Sequence, residues 1–503
     1  MFLHKPKIRF FLCFMLSGFS SVTAANTPTQ VSKEKELRYQ EVFYHFYRKD
    51  AFNALVNFSA GLYENNLPKN LNQNQLLLGS LYFMYDLDKL AESTFLNVIQ
   101  SRVAPEQKSV AWYFLAKIYY KADNFRQLSE ALIKTKQNLP ASLQDERAYI
   151  LGMYYLKIRD LVNAKAVLKT IDEDTFWYQM FQFNLGASYI KANLGVEGAK
   201  FIRNVGDSKQ SNDNMLALKD KSNIVLGYYF LRNNKSPDAI EVLENVRLSG
   251  PFSNKALLGL GWAYTEKQQF RKALIPWMAL SEKDPNQLTV QEALLAVPYA
   301  FMQLKAEDKS LELYKNSIDI YESVKTEIDL ALSVAKKSSF FNVLLVDRSY
   351  DDFTISRKII EHKDSVQGRV LSDLLQDEEF QQMFNTYRDL KQLESKLIEW
   401  RGQLSKMKIM LRATPEDTNF EDSTKLLNRP LKDKRYYVET VLTLTDRVKL
   451  QEDRLTILLG KYESFVQEHV LKALNKKRQY IVTYLSQTRF AMAELLDKAQ
   501  KLE

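Results

Sequence analysis

From residue 79 onward, small, aromatic and apolar residues return in a fixed order. Residues 258–277, LGLGWAYTEKQQFRKALIPW, display it: Gly261, then Tyr264 three places on, Phe270, Ala273 twelve places on, and Trp277. The same order starts at Gly79, Ala116, Gly152, Gly186 and Gly227, with steps of 37, 36, 34, 41 and 34 residues up to Gly261. Three places after each lies Tyr82, Tyr119, Tyr155, Tyr189 or Phe230. The twelfth place holds Ala91, Ala164 and Ala239; Leu128 replaces it in the second unit, and Ala199 falls one residue late. Phe95, Leu168 and Leu243 follow four places later, and Pro140, Pro251 and Pro285 close three of the units. Apolar positions at three- and four-residue spacing predict amphipathic helices, here two per unit. The small residue and the later alanine let those two helices approach closely, and the aromatics fill the gap to the next unit. No unit buries its apolar face alone, so the units must stack. Degenerate copies flank the six, one around Ala54 and Phe58, the other around Phe301 and Tyr314, as expected of terminal caps. In the last copy Pro298 takes the small residue's place, which puts the continuity of that helix in question. Pro276 predicts a kink in a second helix.

The repeat grammar stops near Ser333, and residues 340–367 show no clear period. Leu390, Leu393, Leu397, Trp400, Leu404, Met407 and Leu411 then step by alternating threes and fours, a heptad seam. Residues 413–429 read as a loop, and Pro430 suits the first turn of a new helix. Val441, Leu444, Val448, Gln451, Leu455, Leu458, Tyr462 and Phe465 form a second seam, with apolar positions continuing to Leu502. The two seams predict an antiparallel coiled-coil hairpin with a longer second arm. The surplus of that arm must fold back, pack on the repeats, or pair with another chain. It is also a candidate occupant of the repeats' own groove.

The units resemble the tetratricopeptide repeat, whose motif runs large residue, leucine-glycine, tyrosine, alanine, aromatic, alanine and proline over about 34 residues. Trp112, Leu115, Ala116, Tyr119 and Phe125 make one good copy; Leu260, Gly261, Tyr264, Phe270, Ala273, Trp277 and Pro285 make another. The resemblance spans roughly residues 37–325 and implies an all-α, right-handed superhelix of helix-turn-helix repeats with a concave wall built from each unit's first helix. On this chain it places Tyr113, Tyr120, Tyr149, Met153, Phe183, Tyr228 and Trp262 on that wall, bordered by Lys121, Lys157, Lys191 and Arg232. Two readings stand side by side: these side chains pack on neighbouring helices and the cations are solvated, or they line a groove for an apolar helix or peptide carrying acidic groups. The clamp that some relatives use for a C-terminal carboxylate is not reproduced.

Composition agrees with a helical protein. Glycine (15) and proline (12) are few among 503 residues, while 46% hydrophobic and 26% charged residues describe a globular chain too long for one core. Lys5, Lys7 and Arg9 precede an apolar run from Phe10 to about Val22, and Val22-Thr23-Ala24 resembles a leader-peptidase site, with Ala25 as the alternative. Residues 1–24 therefore read as a Sec-type export signal, 25–332 as the repeat domain, 333–376 as a helical connector and 377–503 as the hairpin. The lone Cys13 lies inside the signal, so the mature chain has no thiol chemistry and no disulfide, which suits a bacterial periplasm. An uncleaved leader would instead anchor the chain in the inner membrane. Removing its three basic residues takes the formal charge from +9 to +6 (9 − 3), a mild excess. With no basic block longer than Lys476-Lys477-Arg478, nucleic acid is not an expected partner.

No catalytic constellation emerges. His45, His362 and His469 are scattered, and no HExxH, GxxxxGK[ST] or GxSxG motif occurs. The acidic pairs Asp351-Asp352, Asp377-Glu378-Glu379 and Glu421-Asp422 sit in charged contexts. No metal site and no cofactor are expected. The expected work is that of a non-enzymatic scaffold or adaptor in the cell envelope, holding other envelope proteins through the wall, with self-association through the coiled coil. Two alternatives remain open: a structural homo-oligomer whose groove is filled by itself, and the accessory superhelical domain of a peptidoglycan-processing system.

Overall fold

The computed structural model describes residues 30–336, 374, 378–413 and 434–500, except 49, 64–66, 68–70, 136–137 and 210–211. The leader, most of the connector and the loop before Pro430 lie outside the described residues, as does His362. Among the described residues there are eighteen helices and no strand. The chain divides into two compact units, residues 1–269 and 270–503.

The first unit runs as successive helix pairs: α1 (Gln30–Tyr47) with α2 (Ala51–Tyr63), α3 (Leu71–Met84) with α4 (Asp88–Gln100), and α5 (Pro105–Lys121) with α6 (Phe125–Lys134). Then follow α7 (Ala141–Lys157) with α8 (Leu161–Leu168), α9 (Phe176–Lys191) with α10 (Gly195–Gly206), α11 (Asp213–Arg232) with α12 (Ser236–Glu244), and finally α13 (Ser253–Glu266). The second unit holds α14 (Phe270–Ser281), α15 (Leu288–Gln303), α16 (Glu307–Ala335), α17 (Glu378–Ala413) and α18 (Lys434–Gln500).

One turn geometry ends every first helix from α3 to α15. Asp86, Asp123, Arg159, Asn193, Asn234, Gln268 and Lys305 all have φ between 53° and 63°, and each lies seven places after a unit's small residue. The next N–H donates back to the carbonyl of the aromatic at the third place: Leu87 to Tyr82, Asn124 to Tyr119, Asp160 to Tyr155 and Gln269 to Tyr264, all at 2.9 Å. This left-handed C-terminal turn satisfies carbonyls that a helix end otherwise leaves orphaned. Asn124 and Asp160 then cap the following helix through Gln127 and Asn163. Within a pair, backbone meets backbone where Gly186 of α9 faces Gly198 of α10: a Cβ on either would stand 2.6–2.7 Å from the other's carbonyl oxygen.

Pro298 does not interrupt α15, which is continuous from Leu288 to Gln303. A proline lacks the N–H that would bond the carbonyl four residues back, here that of Leu294. Ser317 of α16 offers a donor in its place: its buried hydroxyl lies 2.8 Å from the Leu294 oxygen and 2.9 Å from the Leu313 oxygen of its own helix, between which its one proton is shared. Ser310 bonds the Pro298 carbonyl at 2.8 Å, and Tyr321 bonds that of Gln291 at 2.6 Å. The eighth pair is thus held by hydroxyls from its second helix.

The surplus of the long second arm finds its partner in α16. The C-terminal half of α18 runs antiparallel to α16, with Gln467 bonding the Ala335 carbonyl at 2.6 Å and Arg478 paired to Asp329 at 2.6 Å. Farther along, Arg489 pairs with Glu322, and Tyr484 stacks on Tyr321 with ring centroids 6.2 Å apart. The N-terminal half of α18 runs antiparallel to α17, bridged by Arg401 and Glu452 at 3.1 Å. The α17–α18 core takes Phe380, Phe384, Tyr387, Leu397, Leu455, Leu459 and Val466. Only part of each sequence-predicted seam is enclosed: Trp400, Met407, Leu444, Leu458 and Phe465 are exposed, whereas Leu459, outside the seam, is buried. The two helices close on one edge of the seam rather than on its centre.

Candidate functional site

The wall positions on α5, α7, α9, α11 and α13 do not share one environment. Tyr113, Tyr120, Tyr149, Met153 and Phe183 are 2–8% exposed and belong to the packed core. Tyr149 meets Trp177 of α9 at 5.0 Å and Phe181 edge-on at 6.3 Å, and its hydroxyl accepts a bond from Asn184 at 3.2 Å. Burial pushes its phenol upward in pKa, does the same to Tyr113, and raises Tyr120 to about 12. The first turns of α9 therefore fill the wall of the pair before it with their own aromatics.

The cations divide in the same way. Lys121 bridges Asp86 at 2.9 Å and Asp88 at 2.8 Å; burial works against its charge, but those two carboxylates hold its pKa up. Lys157 pairs with Asp123 and lies over the Tyr120 ring at 5.3 Å. Lys191 and Arg232 are exposed and carry no ion pair among the described residues.

The wall opens at α11 and α13. Tyr228 and Trp262 are half-buried, and the Tyr228 hydroxyl donates to the Lys255 carbonyl at 3.1 Å. Lys221 lies over the Phe183 ring at 4.9 Å, with its pKa lowered first by burial and then by the neighbouring ammonium of Lys255. Two like charges are thus held close beside partly exposed aromatic surface. A separate polar cleft of about 260 Å³ lies between α10 and α11, lined by Lys219, Asp220, Asn223 and Arg247. There the buried Asp220 accepts two bonds from the Arg247 guanidinium, at 2.6 and 2.8 Å.

No family model matches the sequence, and no curated protein does. Solved structures do resemble it. The apo form of RapI is 12% identical, with 78% of this chain and 99% of that one covered, at a TM-score of 0.37. A tetratricopeptide repeat protein from Parabacteroides merdae is 10% identical over 53% of this chain and 99% of its own, at 0.33. The structure described as MamA MSR-1 C2 is 18% identical over 36% and 99%, at 0.28. In this chain the small residue, the aromatic three places on and the left-handed turn at the seventh place keep one phase through seven units. The fold is tetratricopeptide-like. Scores this low carry nothing about partners.

The repeat phase places Lys117 on the wall, one place after Ala116, but sequence reasoning missed its partner. Lys117 of α5 pairs with Glu146 of α7 at 2.6 Å, both largely buried, while its ammonium lies over the rings of Phe83 and Tyr113 at 5.5 and 5.3 Å. The separation of 29 residues, a little under one repeat, was the available signal. No group of three or more acidic, histidine or cysteine side chains placed to hold a metal ion occurs among the described residues. His45 bonds Asp50 at 3.2 Å, and His469 lies against the Phe380 ring. No described helix is long and apolar enough to cross a membrane.

Proposed function

We propose that this chain is a non-enzymatic protein-binding adaptor whose tetratricopeptide-like wall takes a helix or extended peptide bearing apolar and acidic groups. The observation that supports it is the open stretch at α11 and α13, where Tyr228 and Trp262 stay partly exposed beside Lys221, Lys255 and Arg232. Arg232 and Lys255 have no ion pair among the described residues, so an incoming carboxylate would meet uncompensated charge. The filled stretch around Tyr113 and Tyr149 then serves as the stiff backing of this patch.

We further propose that the adaptor works in the bacterial envelope, as a repeat domain over 25–332, a connector over 333–376 and a coiled-coil hairpin over 377–503. The basic-apolar-small order of residues 5–24 and the cysteine-free remainder support export. Photo-crosslinking in cells from positions 228 and 262 tests the reading. Products with a separate envelope protein, lost on Arg232→Glu with Lys255→Glu, are the expected outcome. Crosslinks solely to the chain's own helices would remove the wall from consideration as a partner site.

A further inference from the structure

The exposed half of the hairpin seam carries an inference of its own, independent of the wall. Heptad lettering puts Leu390, Leu397, Leu404 and Leu411 of α17 at a and Leu393, Trp400 and Met407 at d. On α18, Val441, Val448, Leu455 and Tyr462 are at a, with Leu444, Gln451, Leu458 and Phe465 at d. Leu397, Leu404, Val441 and Leu455 are buried, whereas Trp400, Met407, Leu444, Leu458 and Phe465 are 40–54% exposed. The arms therefore meet along their a positions and, beyond Leu393, which packs on the core, leave their apolar d positions outside.

The open edges of the two arms lie on one side. On a helical wheel a is flanked by e, and d by g. The Arg401–Glu452 bridge joins an e position to an e position, and the buried Leu459 is also at e. The a/e edges of both helices are thus on the closed side, which brings the two d/g edges together on the opposite side. The result is a stripe of exposed apolar side chains along one side of the α17–α18 seam.

Its rim is basic. The g positions are Lys396, Gln403 and Met410 on α17 and Arg447, Arg454 and Lys461 on α18, with Glu468, beyond Phe465, the one acid that follows on that edge of the α18 seam. Arg447, Arg454 and Lys461 are exposed and have no ion pair among the described residues. The acid next round the wheel, Glu399, is engaged by Gln403 at 3.2 Å. A second copy of the hairpin on this stripe would face cations with the same cations, because a twofold interface pairs a patch with itself. An amphipathic helix with an apolar a/d stripe and glutamates or aspartates on its flanks satisfies both the exposed stripe and its rim.

We propose that the d/g side of the α17–α18 hairpin is a docking surface for an acidic-flanked amphipathic helix of another protein, which completes a three-helix bundle. The test uses the full mature chain and two synthetic three-heptad peptides with identical leucine a/d positions, one with Glu and one with Lys at e and g. Binding is read by anisotropy of the labelled peptide, with Trp400 fluorescence as an internal report. The acidic peptide should bind at least about tenfold more tightly than its basic twin, with the margin shrinking as salt rises. Combined Arg447→Glu, Arg454→Glu and Lys461→Glu should invert that preference, while Lys449→Glu, on the outer face, should leave it intact. Trp400→Gln should weaken the acidic peptide without changing the sign of the charge preference. Circular dichroism of each variant checks that the helices persist. Equal binding of the two peptides, binding of neither, or a parent dimer dissolved by Trp400→Gln would each overturn the proposal. So would a chain that binds phosphatidylglycerol vesicles through the same cations and ignores the acidic peptide.

Discussion

Ser317→Ala isolates the device that keeps α15 helical across Pro298. The serine hydroxyl is 2.8 Å from the Leu294 carbonyl, which the proline leaves without its intrahelical donor. Ser317 is 3% exposed, so water cannot replace it without opening the pair. Stranding a buried acceptor costs about 1–3 kcal/mol. In a Pro298→Ala background the restored amide at 298 reaches Leu294 in the ordinary way, and the serine becomes redundant. There its loss should cost no more than about 0.5–1.5 kcal/mol, the usual net worth of one bond. The double-mutant cycle should therefore show a coupling of about 0.5–1.5 kcal/mol between positions 298 and 317. Hydrogen exchange of peptides across residues 288–335 reads the opening free energy of this pair directly. An equal cost of Ser317→Ala in both backgrounds would refute the account and leave the bond as ordinary packing.

Four further outcomes follow from the geometry. Gly152→Ala should destabilise by about 1–3 kcal/mol in urea melts, because its Cβ would stand 2.3 Å from the buried Phe181 ring, whereas Gly402→Ala, with nothing within 4 Å, should stabilise by up to about 1 kcal/mol. Stability should fall as pH rises above the unfolded phenol value of 10.0: burial raises the pKa of Tyr113, Tyr149 and Tyr321, so the neutral form's contribution is complete below pH 10 and lost above it, which urea midpoints and phenolate absorbance will track. At the acid end the bond from Arg478 holds the Asp329 carboxyl below its usual 3.8; its contribution to seating α18 on α16 is present above that value and lost as pH falls through the depressed one, so exchange of α16 should quicken there in the parent and not in Asp329→Asn. Arg159→Asp should give Lys191 the partner that Lys121 and Lys157 already have and raise stability by no more than about 1 kcal/mol, an effect that 1 M salt should abolish.

The repeat order was legible because it rests on steric rules that act locally. A small residue where two helices touch, an aromatic three places on and a turn four places after that leave a fixed trace in the sequence, and it located helix pairs as weak as the one around Ala54 and Phe58. Pro298 misled because a proline's effect depends on what the facing helix offers, and Ser317 lies 19 residues away. The hairpin seams misled for a related reason. Heptad spacing states that two edges of a helix are apolar, but not which edge a single partner will take, and here α17 and α18 chose a with e and left most of d outside.

The wall was harder to read because core and groove use the same side chains. A tyrosine at a first-helix wall position is a groove residue only if the next pair leaves it uncovered. Tyr149 is covered by Trp177 and Phe181 of α9, whereas Tyr228 stays half-exposed with its hydroxyl on the Lys255 carbonyl of α13. The cations follow a rule that the sequence does carry. A charge five places after one unit's small residue meets the left-handed turn residue seven places after the previous unit's. That pairing gives Lys121 to Asp86 and Lys157 to Asp123, whereas the residues at the same places in the next two units, Lys191 with Arg159 and Arg232 with Asn193, include no carboxylate. Two units therefore neutralise themselves, and the next two do not. Uncompensated charge and uncovered aromatic surface consequently converge on the same end of the first unit, from two independent features of the sequence, and that convergence distinguishes this stretch from the packed wall before it.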